Sequence, residues 1–138
     1  MKVSRVYTKD IETMWPLIEG YMKRAAKYTY GRFEAEDIKE GLLKNPQQLW
    51  VAFNDKKIYG AVVTEVTKYP RMTALTVHFL AGIEFESWKE PMLKLVQQFG
   101  KDNGCKLIDS YGRPGWEKVW ANYGYTKRFI FYELPLEN

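Results

Sequence analysis

Two side chains on predicted strands could accept or donate a proton in a reaction. Glu65 lies in a long run rich in Val and Thr, and His78, the single histidine, lies in the next such run. Because side chains alternate along a strand, Glu65 points away from the face that carries Thr64 and Val66. A histidine can accept a proton near neutral pH, although a lone strand histidine is more commonly a hydrogen-bonded structural residue. Both residues are therefore candidates for general acid–base chemistry.

Two further polar residues follow the predicted long helix. Asp109 closes a short apolar strand, and Arg113 sits in the tight turn Gly-Arg-Pro-Gly directly before Trp116. Glycine and proline make such a turn stiff. An arginine held there can bind a carboxylate or a phosphate, or it can stack on Trp116 or pair with Glu117. Both interpretations of Arg113 stay open at this point.

Composition and charge indicate a small globular chain. The 138 residues are 46% hydrophobic and 16% aromatic, with a formal net charge of +4. This length predicts one domain, residues 1–138, with enough burial for a real core. Basic residues are spread out, which argues against a nucleic-acid partner, and no apolar run reaches the roughly 18 residues that a membrane helix needs. A group of basic and aromatic residues could bind single-stranded nucleic acid, but an ordinary helix and loop explain them better. These residues are Lys23, Arg24, Lys27, Tyr28, Tyr30 and Phe33.

Cysteine and histidine usage limits redox and metal chemistry. Cys105 is the only cysteine, so no internal disulfide can form. One histidine without a cysteine cluster supplies too few ligands for zinc, and no metal site is expected. A reducing, cytoplasmic location is the expectation, since the first residues lack the apolar core of a signal peptide.

The patterning predicts ten elements in the order β-α-α-β-β-β-α-β-α-β. Three consecutive strands form an antiparallel meander, and the strand reached through the long helix should pair in parallel. Ser87 and Glu90 form a capping box that starts this helix. The expected class is α/β, with a mixed, mostly antiparallel sheet flanked by helices. The predicted strands are 2–7, 48–53, 58–67, 72–80, 106–110 and 129–134, and the predicted helices are 11–28, 33–45, 87–103 and 116–123.

The segment 116–134, WEKVWANYGYTKRFIFYEL, reads as an aromatic-bearing helix, a Gly-Tyr turn and a strand. Together with the element order, it resembles the GNAT N-acetyltransferase superfamily over nearly the whole chain. The shorter stretch GRPGWEKVWANYGY is similar to small GNAT-like proteins of bacteriophage and prophage. The resemblance implies a single GNAT-like domain and a diverged acetyltransferase that uses acetyl-CoA.

The resemblance also implies where acetyl-CoA would bind. It places the cofactor arm along Phe79, Leu80 and Ala81, in the opening between the third meander strand and the strand after the long helix. Its phosphates would lie near Gly82 and Ser87, where the family carries a loop of the form Gln/Arg-x-x-Gly-x-Gly/Ala.

That loop is degenerate in this sequence. Residues 80–88 contain one glycine, together with Glu84 and Glu86. Acids at a helix start satisfy the helix dipole and repel a pyrophosphate, and Ser87 as N-cap would use one backbone donor. A helix capped by its own side chains is therefore favoured over a phosphate cradle.

The resemblance places the family's usual general acid, a tyrosine, at Trp120. An indole N–H does not titrate usefully, so Trp120 cannot serve as an acid. Tyr123 and Tyr111 are substitutes, although packing roles explain both. The predicted catalytic residues are Glu65, His78 and Tyr123.

Two functions follow from the resemblance. As an enzyme, the protein would take a small-molecule or protein amine beside Tyr28 and Tyr30, with Arg113 and Trp116 as further binding residues, and a homodimer is allowed. As the alternative, it would be a non-catalytic GNAT-fold protein of phage type that binds protein or nucleic acid. The missing glycine loop and Trp120 favour this alternative, and the binding of acetyl-CoA separates the two.

Overall fold

The five strands of the protein form one mixed sheet, seen in a computed structural model that describes residues 1–44 and 46–136. The strands follow the order β1-β2-β3-β4-β5, with antiparallel pairing except between β4 and β5, which are parallel. The predicted α/β class and mixed sheet are confirmed. The strands are β1 (Lys2–Val6), β2 (Gln47–Phe53), β3 (Ile58–Lys68), β4 (Thr73–Gly82) and β5 (Leu107–Ser110), and the helices are α1 (Ile11–Lys27), α2 (Ala35–Lys44), α3 (Lys89–Asp102) and α4 (Glu117–Ala121).

Helices cover both faces of the sheet. The apolar stripe of α1, which includes Ile18 and Met22, packs with α2 against one face. Met92 and Val96 of α3 pack against the opposite face. This spacing of apolar residues is typical of amphipathic helices. None of the described helices is long and apolar enough to cross a bilayer.

The indole of Trp88 fills a slot made by two facing glycines. Trp88 is fully buried, and its Nε1 donates a hydrogen bond to the carbonyl oxygen of Ile83 at 2.9 Å. Gly60 of β3 and Gly82 of β4 are register partners beneath the ring. A Cβ atom on Gly60 would lie 2.3 Å from Cζ2 of Trp88, and one on Gly82 would lie 2.4 Å from the carbonyl oxygen of Tyr59. Gly82 is therefore required by packing.

The predicted capping box at Ser87 is wrong. The chain turns at Glu84, which has a left-handed φ of 51°, and passes through a 3₁₀ turn at Phe85–Ser87 before α3 begins at Lys89. Ser87 Oγ donates to the carbonyl oxygen of Glu84 at 2.7 Å instead of capping α3. Burial of the neighbouring Trp88 explains the change, because its ring reaches the glycine slot only from this turn.

The predicted last strand, residues 129–134, is also wrong. Residues 126–136 have no regular structure, and Phe129 and Tyr132 are more than four-fifths exposed. The segment contacts its own chain through an ion pair of Glu133 with Arg32 at 2.7 Å and through Phe131 against Tyr111. It thus crosses from the end of β5 towards the loop after α1. A sequence of high strand propensity forms a strand only where it finds a pairing partner.

Candidate functional site

The centre of the candidate site is a stretch of β4 without a strand neighbour on one side. Pairing of β4 with β5 ends where Val77 meets Ser110, whereas β4 continues to Gly82. Within the described chain, residues 78–82 therefore carry no strand on the β5 side. Backbone N–H and C=O groups along such an edge can pair with an extended ligand. Two cavities border this stretch.

The first of these, the α2 cavity, has a volume of about 460 Å³ and holds two of the predicted catalytic residues. His78 Nε2 and Glu65 Oε1 lie 2.9 Å apart, and 30% of each side chain is exposed. Gln47 Nε2 donates a hydrogen bond to the same Glu65 oxygen at 3.3 Å. The α2 cavity is lined by Phe33, Asp37, Ile38, Glu40, Gly41, Lys44, Gln47, Glu65, His78 and Phe79.

A β-bulge brings His78 to Glu65. Val63 pairs with Phe79 and Thr64 pairs with Val77, so His78 is an extra residue in β4. Val77 packs on the α3 face, whereas Phe79 packs on the α1 face. By alternation from Val77, His78 also points to the α1 face, so two consecutive side chains enter the α2 cavity. Re-aiming a side chain in this way is a common consequence of a bulge.

The Glu65–His78 pair is suited to accepting a proton. An ionised carboxylate only accepts hydrogen bonds, so it orients the imidazole with its N–H at Nε2. The other ring nitrogen, Nδ1, then keeps a free lone pair. A carboxylate that fixes the tautomer and then stabilises the imidazolium is a recurring arrangement for a general base.

The second cavity, the edge cavity, lies at the C-terminal end of β4 and measures about 200 Å³. Arg113 is stacked on Tyr28, with its guanidinium carbon 3.7 Å from the ring centroid. Neither of the predicted packing contacts of Arg113 is seen, because Glu117 pairs with Lys127 at 3.1 Å and the stacking partner is Tyr28 and not Trp116. The anion-binding interpretation stays a prediction. The edge cavity is lined by Arg24, Ala25, Tyr28, Leu80, Ala81, Gly82, Phe85, Trp88, Arg113 and Trp116.

An aromatic cluster forms one wall of the edge cavity. Trp116 and Trp120 are stacked, with ring centroids 5.4 Å apart and planes 16° apart. Phe85 contacts Trp88, Trp116 and Trp120 edge-on. Trp120, where the resemblance implied a general acid, is thus a packing residue. No titratable group occupies that position in this chain.

Three predicted site residues lie outside both cavities. The ring of Tyr123 sits beneath Lys89 Nζ at 5.2 Å. Tyr30 is 71% exposed and has a left-handed φ of 54°. Ser87 lies in the turn before α3. Their predicted roles stay predictions, without support from the geometry.

Asp109 belongs to a hydrogen-bonded network. Thr76 Oγ1 donates to Asp109 Oδ1 at 2.6 Å, and the Tyr69 hydroxyl donates to Oδ2 at 2.9 Å. The hydrogen bond to Asp109 raises the pKa of Tyr69. These contacts join β4, β5 and the β3–β4 turn, so Asp109 has a structural role.

Sequence reasoning missed several lining residues. Arg24 had been grouped with a weak basic surface, although Nη2 of its guanidinium lies 3.5 Å from the carbonyl oxygen of Gly82. Asp37 lies in the first turn of α2, where it accepts a hydrogen bond from the Glu34 backbone N–H at 2.8 Å, and the sequence does not show that it also lines a cavity. Gln47 had no distinguishing sequence signal, because its role depends on strand register.

Comparison with solved structures decides the fold. The chain is similar to a putative acetyl transferase from Pyrococcus furiosus, with a TM-score of 0.72 at 18% identity over 98% of this chain and 100% of the other. It is similar to an aminoglycoside acetyltransferase, meta-AAC0020, from an uncultured soil metagenomic sample, with a TM-score of 0.68 at 15% identity over 99% and 96%. The chain has the GNAT acetyltransferase fold. A ribosomal-protein-alanine N-acetyltransferase from Brucella melitensis biovar Abortus 2308 is also similar, with a TM-score of 0.70 at 12% identity over 99% and 100%.

Comparisons of sequence add no closer relative. No protein-family model matches the chain, and no curated protein matches it. The comparisons therefore establish the GNAT fold, and the evidence on activity lies in the residues of the two cavities.

Proposed function

We propose that the protein is an acyl-CoA-dependent N-acyltransferase that acts on a positively charged amine. The observation that carries this proposal is the arrangement of two cavities around the unpaired stretch of β4. The α2 cavity includes His78 and Phe79, and the edge cavity includes Leu80, Ala81 and Gly82. Since Phe79 and Leu80 are consecutive, their Cα atoms lie about 3.8 Å apart. Ligands in the two cavities would meet at this point of β4.

The edge cavity suits the acyl donor. The amides of a pantetheine arm can pair with the free backbone edge at residues 78–82 as an added strand does. Leu80, Ala81 and Trp116 supply apolar walls, and the thioester would then lie at the boundary between the cavities. The GNAT fold of the similar structures supports acetyl-CoA as the donor.

The α2 cavity suits the amine. Glu40 is neutralised by Lys44, whose Nζ lies 2.6 Å away, but Asp37 and Glu65 are not ion-paired to a lysine or arginine among the described residues. Phe33 and Phe79 add aromatic surface, their rings in edge contact at 5.4 Å. Carboxylates and aromatic faces both attract a cation, so an acceptor with an ammonium group is favoured over an anionic one.

The proposed reaction begins with proton removal. His78, oriented by Glu65, takes a proton from the acceptor ammonium, and the freed amine nitrogen attacks the thioester carbonyl carbon. A C–N bond forms while the carbonyl π electrons move to oxygen. Backbone N–H groups of β4 near the bulge are available to stabilise that oxyanion. The electron pair then returns from oxygen, the C–S bond breaks, and the nitrogen gives its second proton to water. The neutral amide and a CoA thiolate leave.

No side-chain acid is required for the leaving thiolate. A thiol has a pKa near 8.5, so its thiolate is an acceptable leaving group and takes a proton from water or from the imidazolium. The packed Trp120 is compatible with this route. The proposed cellular setting is cytoplasmic, where acyl-CoA is available.

The proposal is tested by titrating the protein with acetyl-CoA by calorimetry and by following thiol release with a panel of amines and diamines. We expect acetyl-CoA to bind in the micromolar range and thiol release to depend on a cationic amine. Absence of binding at millimolar acetyl-CoA would overturn the proposal. That result would instead favour the non-catalytic, phage-type alternative, which the degenerate glycine loop supports.

The protein's own thiol will not disturb this assay. Burial raises the pKa of Cys105 above its usual value, so less thiolate is present at a given pH, and the thiolate is the reactive form. We expect Cys105 to react with a disulfide reagent at pH 8 more slowly in the folded protein than in urea-unfolded protein. Equal rates in the folded and unfolded protein would show that the thiol is accessible.

A further inference from the structure

The structure carries two arginine side chains where the GNAT loop would place its backbone donors. We propose that Arg24 and Arg113 form the binding site for the phosphate groups of the acyl donor, in place of a glycine-rich loop. This inference rests on the proposed function, because it concerns the same donor. The experiment below distinguishes a failure of this inference from a failure of the proposed function.

Three of the six backbone N–H groups of residues 83–88 are already used within the β4–α3 connection. The N–H of Ile83 donates to the carbonyl oxygen of Tyr59 at 2.8 Å, the N–H of Ser87 donates to that of Glu84 at 2.9 Å, and the N–H of Trp88 donates to that of Phe85 at 3.1 Å. They belong to the stretch from which a phosphate cradle would be made. They are committed to the turn that delivers Trp88 to its slot.

The space beside Gly82 is occupied as well. Protein atoms lie 2.4 to 2.9 Å from where its Cβ would be, namely the carbonyl of Tyr59, the Cα of Gly60 and the ring of Trp88. In a phosphate-binding loop, a glycine leaves room for close approach of the ligand to the backbone. Here the indole and β3 fill that room, so side chains that line the edge cavity have to hold the anion.

Arg113 is prepared to hold an anion. Its guanidinium carbon lies 3.7 Å from the ring centroid of Tyr28, which is within stacking distance. Stacking uses the face of the guanidinium and leaves the N–H groups at its edge free to donate. A planar fork of this kind binds phosphate oxygens in pairs.

Arg24 reaches the same cavity from α1, with Nη2 at 3.5 Å from the carbonyl oxygen of Gly82. Neither Arg24 nor Arg113 lies within ion-pair distance of a carboxylate in residues 1–44 and 46–136. Two cations on one cavity wall repel each other unless an anion lies between them. The pair therefore favours a polyanion over a neutral ligand.

The acids that the sequence places nearby do not cancel this charge. Glu86 pairs with Lys89 at 2.7 Å, which neutralises it, and this contact raises the pKa of Lys89. Glu84 lines neither of the two cavities. The repulsion expected from Glu86 at this end of α3 is thus reduced.

The experiment compares CoA with pantetheine, which lacks every phosphate, on the wild-type protein and on Arg24→Gln and Arg113→Gln. Lys27→Gln is the matched control, since it removes one exposed positive charge from α1 outside the cavities. We expect each arginine variant to weaken CoA binding at least tenfold and pantetheine binding less than twofold. Lys27→Gln should change neither more than twofold, and added salt should weaken CoA binding less in the arginine variants.

Three results would overturn the inference while leaving the proposed function in place. The first is unchanged CoA affinity in both arginine variants. The second is an equal loss for CoA and pantetheine, which would make the arginines structural, and the third is an equal loss in Lys27→Gln. Conversely, inorganic pyrophosphate that binds in an arginine-dependent way to a protein that transfers no acyl group would support the phosphate site and reject the acyltransferase.

Discussion

Gly60→Ala is expected to lower the free energy of unfolding by about 3 kcal/mol, at the upper end of the usual cost of overpacking a core. The added methyl would lie 2.3 Å from Cζ2 and 2.8 Å from Cη2 of Trp88, distances that no rotamer change at alanine can relieve. A Cβ on Gly82 of β4 would also lie 2.9 Å from Cζ2 of Trp88, so the ring is confined on this side too. Urea denaturation followed by circular dichroism measures the change.

Two controls show whether the glycine slot is the cause. Gly20→Ala, on the exposed side of α1 with no atom within 4 Å of the new methyl, should raise stability by up to about 1 kcal/mol, because alanine has the higher helix propensity. Gly60→Ala should lower the free energy of unfolding less in a Trp88→Leu protein than in the wild type. Additive costs in that double-mutant cycle would mean that Trp88 and Gly60 do not interact.

The second large effect is on turnover. In Glu65→Gln and His78→Gln, we expect kcat for acyl transfer to fall by about 10²- to 10⁴-fold, the usual contribution of a general base. Affinity for acetyl-CoA should change less than twofold, because both side chains line the α2 cavity and not the edge cavity. Thiol release and calorimetry measure the two quantities separately.

The pair should also act as a unit. The double variant is expected to lose about as much activity as His78→Gln alone, since Glu65 acts through the imidazole. Glu36→Gln, an exposed carboxylate on the first turn of α2 and outside the cavity, should leave kcat within twofold. If Glu65→Gln retains full turnover while His78→Gln loses it, the carboxylate does not orient the imidazole.

Much of the fold could be predicted from the sequence, because periodicity and turn residues act locally. The apolar stripe of α1, the three-strand meander and the parallel β5 were all predicted within a few residues of their observed ends. The errors at Ser87 and at residues 129–134 have tertiary causes. One depends on where the Trp88 ring packs, and the other on whether a pairing partner is available.

The candidate site was predictable only in part. Glu65 and His78 were chosen separately, and their contact could not be foreseen because the bulge at His78 shifts the register by one residue without a local signal. Arg113 was chosen for its stiff turn, but its partner Tyr28 lies 85 positions earlier in the numbering of the chain. Arg24 was assigned to a general basic surface, since nothing in α1 alone shows that it reaches the end of β4.

The uneven burial of the five tryptophans gives the protein a built-in optical reporter. Trp15 and Trp50 are at most 5% exposed and line neither cavity, so their fluorescence reports on integrity of the core. Trp116 lines the edge cavity and is stacked on Trp120, so its emission responds to whatever fills that cavity. Ligand binding and unfolding can therefore be followed in one fluorescence spectrum without a label. In Trp116→Phe, the contribution of Trp116 to the ligand response is lost, whereas the response of the buried tryptophans to unfolding remains.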